Sequence, residues 1–288
     1  MTKPLIKTLT VVGVGLIGGS FALALKAAGV VERVIGVDRN ADNLALALQL
    51  GVIDEAAASL ADGVCSAQVV FVAVPVGSVA PVVAQAAPSL PPGCVVTDAG
   101  SVKEELVQVC EPLIPSGCHF VGGHPIAGTE HSGAAAAFAE LYRGKRSILT
   151  PTEVTDADAL ELVRQLWQAA GSRVECMEAT THDRVFAAVS HLPHMVAYAL
   201  VHAVAGSAEA EENILAFSAG GFRDFTRIAS SDPVMWRDIA LMNRGALLAL
   251  LDRYLLEFST LRSHVADSDG PWLEAFFHTS KRLRDGII

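Results

Sequence analysis

The chain has 288 residues, enough for about two domains of ordinary size, and with 51% hydrophobic and 18% charged residues it should bury a large core. A net charge of −10 without any Lys/Arg block excludes a nucleic-acid surface, because phosphates need clustered cations to neutralise them. Five scattered cysteines (Cys65, Cys94, Cys110, Cys118 and Cys176) form no CxxC pair and no metal-ligand spacing, which reads as reduced thiols, no metal site and a cytoplasmic protein. No charged-then-apolar leader precedes the first strand, and no uninterrupted apolar segment approaches bilayer length, so no membrane partner is expected.

The first apolar run, Leu9 to Val12, leads into Gly13-x-Gly15-x-x-Gly18, and an alanine-rich helical pattern, Phe21 to Ala28, follows. Strand, glycine turn and helix in that order form a dinucleotide-binding unit. Gly13 would allow the tight turn, Gly15 the approach of a pyrophosphate, and Gly18 close packing of helix on strand, while the helix N-terminus offers free N–H groups to phosphate. A second run, Val34 to Val37, ends in Asp38, 20 residues after Gly18, where a carboxylate would accept hydrogen bonds from ribose hydroxyls. That carboxylate would repel the extra phosphate of NADP, so NAD is expected; Arg39 leaves NADP open.

Further along, Asp42 to Leu50 reads as a helix, and Val69 to Val74 as a doubly buried strand stopping at Pro75, where it would face the ligand crevice. Val95 to Thr97, Phe120-Val121, Ser147 to Thr150 and Arg173 to Met177 are further strands, with a helix from about Asp156 to Ala170. The alternation predicts a Rossmann-type α/β fold, a doubly wound and mostly parallel sheet, over residues 1–178. Beyond Met177 strand signals stop, so residues 179–288 are predicted to form a smaller all-α domain. Thr180 to Ala205 is one helical pattern expected to kink at Pro193. Gly220-Gly221 precedes Phe222 to Ser231, Asp232-Pro233 opens a helix, and Pro271 starts the last one. The leucine excess from Leu241 to Leu261 suggests a dimer interface.

Chemistry is expected at the strand ends. Ser101 could be an active-site hydroxyl or, with Glu104, a helix capping box; both can hold. His124, between glycines and a proline, has little packing to do and an ordinary pKa suited to taking a proton. Of His191 and His194, one is expected to be satisfied in the core by a backbone carbonyl and the other to face a cleft. Arg227 offers a fork for a carboxylate, with an exposed helix-end salt bridge as the alternative.

Five motifs together resemble the prephenate dehydrogenase family, which includes arogenate and cyclohexadienyl dehydrogenases: GxGLIGGS at Gly13–Ser20, DxGSVK at Asp98–Lys103, GGHPIAGTEHSG at Gly122–Gly133, SHLPH at Ser190–His194, and GGFRDFTRIASSDPVMWRDI at Gly220–Ile239. The resemblance spans nearly the whole chain. It implies NAD-dependent oxidative decarboxylation of prephenate or arogenate to an aromatic product on the route to tyrosine, by a homodimer joined through the helical domain. It further implies that His124 takes the ring hydroxyl proton as hydride leaves, that Ser101 holds the hydroxyl or His124, and that Arg227 binds a substrate carboxylate. His194, Thr129, Glu130, Asp224 and Trp236 would serve the substrate; Gly13, Gly15, Leu16, Ile17, Gly18, Asp38, Arg39, Val74 and Pro75 would serve the cofactor. Two rivals remain at this level. A hydroxyacid or imine reductase would be expected to carry a catalytic lysine, yet Thr180 to Arg227 contains none. A non-catalytic NAD sensor would give His124, Ser101 and Arg227 no reason to coexist.

Overall fold

The structure is a computed structural model that describes residues 4–129, 131–206 and 214–287. Eight strands run β1 (Ile6–Val12), β2 (Val31–Val37), β3 (Glu55–Ala56), β4 (Val69–Val72), β5 (Val95–Asp98), β6 (His119–Pro125), β7 (Arg146–Thr150) and β8 (Arg173–Cys176). They form one sheet in the order β3-β2-β1-β4-β5-β6-β7-β8, parallel except where β7 runs against β6. The helices between them are α1 (Leu16–Ala27), α2 (Ala41–Gln49), α3 (Leu60–Val64), α4 (Val76–Ala86), α5 (Glu104–Cys110) and α6 (Ala157–Ala169). From β1 the chain moves outward to β2 and β3, then returns to β4 on β1's other side. The strand order therefore reverses at β1 and β4, and a ligand crevice opens beyond their carboxyl ends.

On one face, Phe21 of α1 packs against Phe71 of β4 and Trp167 of α6 at ring-centroid distances of 4.5 and 4.4 Å. Tyr142 completes this wholly buried cluster, and its hydroxyl donates to the carbonyl of Ile17 at 2.6 Å. Burial of each such ring stabilises by roughly 1.5–3 kcal/mol, so the cluster that holds α1 on the sheet also fixes the glycine turn.

Two sequence expectations shift here. Helix α1 starts at Leu16, not Phe21, so Gly18, Gly19 and Ser20 lie buried within it. Strand β4 ends at Val72, two residues early, because Ala73 and Val74 turn in against Gly13.

Beyond the sheet come α7 (Ala179–Phe186), α8 (Leu192–Gly206), α9 (Gly220–Thr226), α10 (Pro233–Met242), α11 (Arg244–Ala266) and α12 (Gly270–Asp285). The irregularity expected at Pro193 falls just before it: Ala187–His191 is a π-helical turn, and Pro193 is the second residue of α8. A proline leaves its own N–H missing and crowds the carbonyl four residues back, here Val189, and the wider turn absorbs both faults. Asp232 caps α10 by accepting from the N–H of Met235 at 2.8 Å, with Pro233 first in the helix as expected. The continuous helical run Ala179–Gly206 is long and apolar enough to cross a membrane by length and composition, although Thr181, Arg184, Ser190 and His194 interrupt its apolar sequence. It also carries the buried His182, Asp183 and His191.

Candidate active site

Gly13 sits at φ +91°, and a Cβ there would stand 2.5 Å from the carbonyl oxygen of Ala73 and 3.0 Å from Val74. A side chain at this turn would therefore break the meeting of β1 with β4. By contrast, the space a Cβ would enter at Gly15 is open, as a dinucleotide pyrophosphate needs if it is to approach the backbone at the start of α1. The residues thus fit the cofactor the sequence suggested. Asp38 stands at the end of β2 with one carboxylate oxygen accepting from the Val14 N–H and from the Asn43 amide, both at 3.0 Å. The other accepts from the Asn40 N–H at 2.9 Å, so Asp38 ties the glycine turn to the strand beside it. Arg39 is exposed, and Pro75 caps α4 next to the turn.

A cavity of about 760 Å³ lies between the sheet's carboxyl edge and the helical segment. Gly15, Leu16, Ile17, Ser101, His124 and Thr129 line it from the sheet side, and His191, His194, Arg227 and Trp236 from the helical side. The structure therefore brings together most of the residues singled out from sequence. Gly13, Gly18, Asp38, Arg39, Val74 and Pro75 are outside its lining, and Asp224 is exposed on α9, also outside it. Glu130 lies outside the described residues.

His124 is the last residue but one of β6 and is held there by its backbone neighbours. Asp98, last in β5, accepts from the Gly123 N–H at 3.0 Å and from the Gly100 N–H at 2.7 Å. Lys103, fully buried, forms an ion pair with Asp98 and donates to the Gly123 carbonyl at 2.8 Å. Both peptide groups of Gly123 are thereby clamped, and β6 cannot shift without breaking hydrogen bonds to a buried charge pair. The imidazole of His124 meets that of His182 from α7, Nδ1 to Nε2 at 2.8 Å, and His182 Nδ1 lies 2.8 Å from a carboxylate oxygen of Asp183. Burial, and then the neighbouring His182, Lys103 and His191, hold the His124 pKa well below its ordinary value.

Ser101 lines the cavity, but the capping box expected with Glu104 does not form: α5 has no cap from its own flanking side chains. The N–H groups of Lys103 and Glu104 instead donate to the two oxygens of Asp183, at 2.8 and 2.9 Å. A carboxylate 80 residues away in sequence satisfies this helix start, which removes the capping explanation for Ser101.

Across the cavity, His194 donates from Nδ1 to the Ser190 carbonyl at 2.8 Å and stacks on Trp236 at 3.6 Å. The histidine bonded to a carbonyl is thus also a cavity residue. His191 is buried with its Nδ1 3.0 Å from the Asn243 amide nitrogen, and burial lowers its pKa to about 4. Sequence reasoning missed His182, Asp183 and Asn243. None sits in a glycine-rich or strand-end motif, and only the fold brings them to His124.

The nucleotide-binding domain model of prephenate dehydrogenase matches residues 21–176, and the prephenate dehydrogenase dimerization domain model matches residues 178–279. The chain is 40% identical to a prephenate dehydrogenase of Bacillus subtilis, over 97% of this chain and 76% of that protein. It superposes with a TM-score of 0.92 on the crystal structure of prephenate dehydrogenase from A. aeolicus in complex with hydroxyphenyl propionate and NAD+, at 38% identity and covering 98% of each chain. Synechocystis arogenate dehydrogenase superposes with a TM-score of 0.81 at 32% identity, covering 98% of this chain and 100% of that one.

Proposed function

This chain belongs to the prephenate dehydrogenase family, and from that premise we propose which residues carry its reaction and which substrate it prefers. It is an NAD-dependent oxidoreductase that oxidatively decarboxylates a cyclohexadiene acid in tyrosine biosynthesis. The hydroxyacid-reductase and NAD-sensor readings are not favoured.

In the proposal, His124 takes the proton of the ring hydroxyl and Ser101 holds that hydroxyl in line. Bound NAD supplies the hydride acceptor, held by the turn Gly13 to Gly18, by Asp38 at the ribose and by Val74 and Pro75 alongside. Loss of the ring carboxylate as CO2 then leaves an aromatic ring, which makes the step effectively irreversible. Arg227 binds a substrate carboxylate, and His194 stacked on Trp236 forms the wall that orients the ring. The observation that carries this reading is that His124, Ser101, Arg227 and His194 open onto one cavity with Gly15, Leu16 and Ile17.

Prephenate is the preferred substrate. Both candidates carry two carboxylates, but prephenate has a keto group where arogenate has an ammonium that needs a carboxylate partner. Among the described residues the cavity lining holds an arginine and four histidines, donors suited to carboxylate and keto oxygens. Asp38 favours NAD over NADP by repelling the latter's ribose phosphate. We further assign the protein to the cytoplasm, residues 1–178 to cofactor binding, and residues 179–288 to substrate binding and homodimer formation.

The test is NADH formation by the purified protein, with prephenate or arogenate and with NAD or NADP. Turnover of prephenate with NAD at the highest kcat/KM is expected. Preference for arogenate would overturn the substrate assignment, and silence with both would overturn the reading.

A further inference from the structure

We propose that His182 and Asp183 are positioning residues that hold His124 in the one tautomer able to receive a proton at the cavity. The inference rests on the reading of His124 as proton acceptor and explains how a neutral imidazole is oriented for that task. An ionised carboxylate only accepts hydrogen bonds, so across the 2.8 Å contact His182 Nδ1 carries the hydrogen and Asp183 receives it. Neutral His182 then presents a lone pair at Nε2. His124 Nδ1, 2.8 Å away, must donate to it. That leaves the other ring nitrogen of His124, Nε2, with its lone pair, the arrangement a general base requires.

The anchor of this chain is well fixed. Asp183 receives the Lys103 and Glu104 N–H groups at the start of α5, and its own backbone carbonyl receives the Asn243 amide at 2.8 Å. His182 is fully buried, on α7, while His124 lies near the end of β6. The helical segment therefore sets the tautomer of a base borne by the sheet. The other charged and titratable groups around the two rings are the buried Lys103–Asp98 pair, which is neutral overall, and His191, held uncharged by burial. None offers His124 Nδ1 a competing acceptor, since the Lys103 ammonium only donates and Asp98 is occupied by Gly100, Gly123 and Lys103.

Two substitutions separate orientation from packing. In His182→Gln the amide oxygen can still accept from His124 Nδ1–H; in His182→Leu nothing can. The leucine variant is expected to lose about 10²-fold or more in kcat, the usual span of a displaced acid–base group, with KM for prephenate and affinity for NAD retained. The glutamine variant is expected to return to within about tenfold of the parent. Equal activity of both variants, or a loss confined to KM, would overturn the proposal.

Nitrogen-15 NMR of the histidine-labelled protein with NAD gives a reading independent of turnover, His124 being assigned by its absence in His124→Asn. The Nδ1–H tautomer of His124 is expected. An Nε2–H tautomer would overturn the positioning role even in a protein that turns over prephenate, and an Nδ1–H tautomer would uphold it even if the substrate proved to be another.

Discussion

At the level of single residues, the question is why a histidine so enclosed should serve as a base. Burial disfavours the imidazolium of His124, and the neighbouring Lys103 ammonium adds to that; both keep the ring neutral to lower pH than a free histidine. The consequence for activity has a definite sign. A base with a lowered pKa stays competent as pH falls through the ordinary histidine value near 6.5 and fails only below it. The acid limb of kcat/KM against pH, which reports the free enzyme, is therefore expected below 6.5, with a flat profile from there to neutrality. A limb at or above 6.5 would mean that the groups facing His124, namely His182, Lys103 and His191, do not depress it as the geometry requires. The clamp on Gly123 belongs to the same logic. The Asp98–Lys103 pair is completely enclosed, and losing one partner of such a pair costs about 3–5 kcal/mol, so the peptide that aims His124 is bonded on both sides to a pair that is itself costly to disturb.

Among the elements, what could be read from sequence was whatever local periodicity and punctuation decide. The strand–glycine–helix unit at Gly13 to Gly18, the alternation through β8, the Asp232-Pro233 helix start and the switch to helices after Cys176 all follow from patterns a few residues long. His124, Ser101, His194, Arg227 and Trp236 were legible because the motifs around them are distinctive, and they meet at one cavity. What was not legible depends on contacts distant in the chain. Ser101 and Glu104 have capping-box spacing, yet Asp183 satisfies that helix start from 79 and 80 positions away. Pro193 correctly signalled a fault in the helix, but the π turn Ala187–His191 carries it one turn earlier. That turn also sets His191 and His194 at different depths: His191 is buried against Asn243, and His194 is half-exposed over Trp236. His182 and Asp183 lie in a helix whose sequence carries no sign of catalysis.

For the whole molecule, the exposed apolar surface concentrates on the last helices. Of the 23 residues of α11 only Leu247 is buried, while Leu248, Leu255, Leu256 and Phe258 are each at least half exposed. Surface of that kind is stable when a second copy covers it, each leucine contributing roughly 1.5–3 kcal/mol on burial. Sedimentation should accordingly find a dimer, and Leu255→Glu, which would place a charge in that contact, should shift it to monomer; a monomeric parent chain would remove the argument. Within the chain, the sheet edge and the helical segment line one cavity, and His124 is its proposed chemical centre. The most direct measurement is therefore His124→Asn, assayed for NADH formation with prephenate and for NAD affinity by fluorescence quenching. Turnover lower by about 10²–10⁴-fold with NAD affinity unchanged is the result this account predicts. Turnover equal to that of the parent protein would contradict it, because His124 would then not be the group that takes the proton.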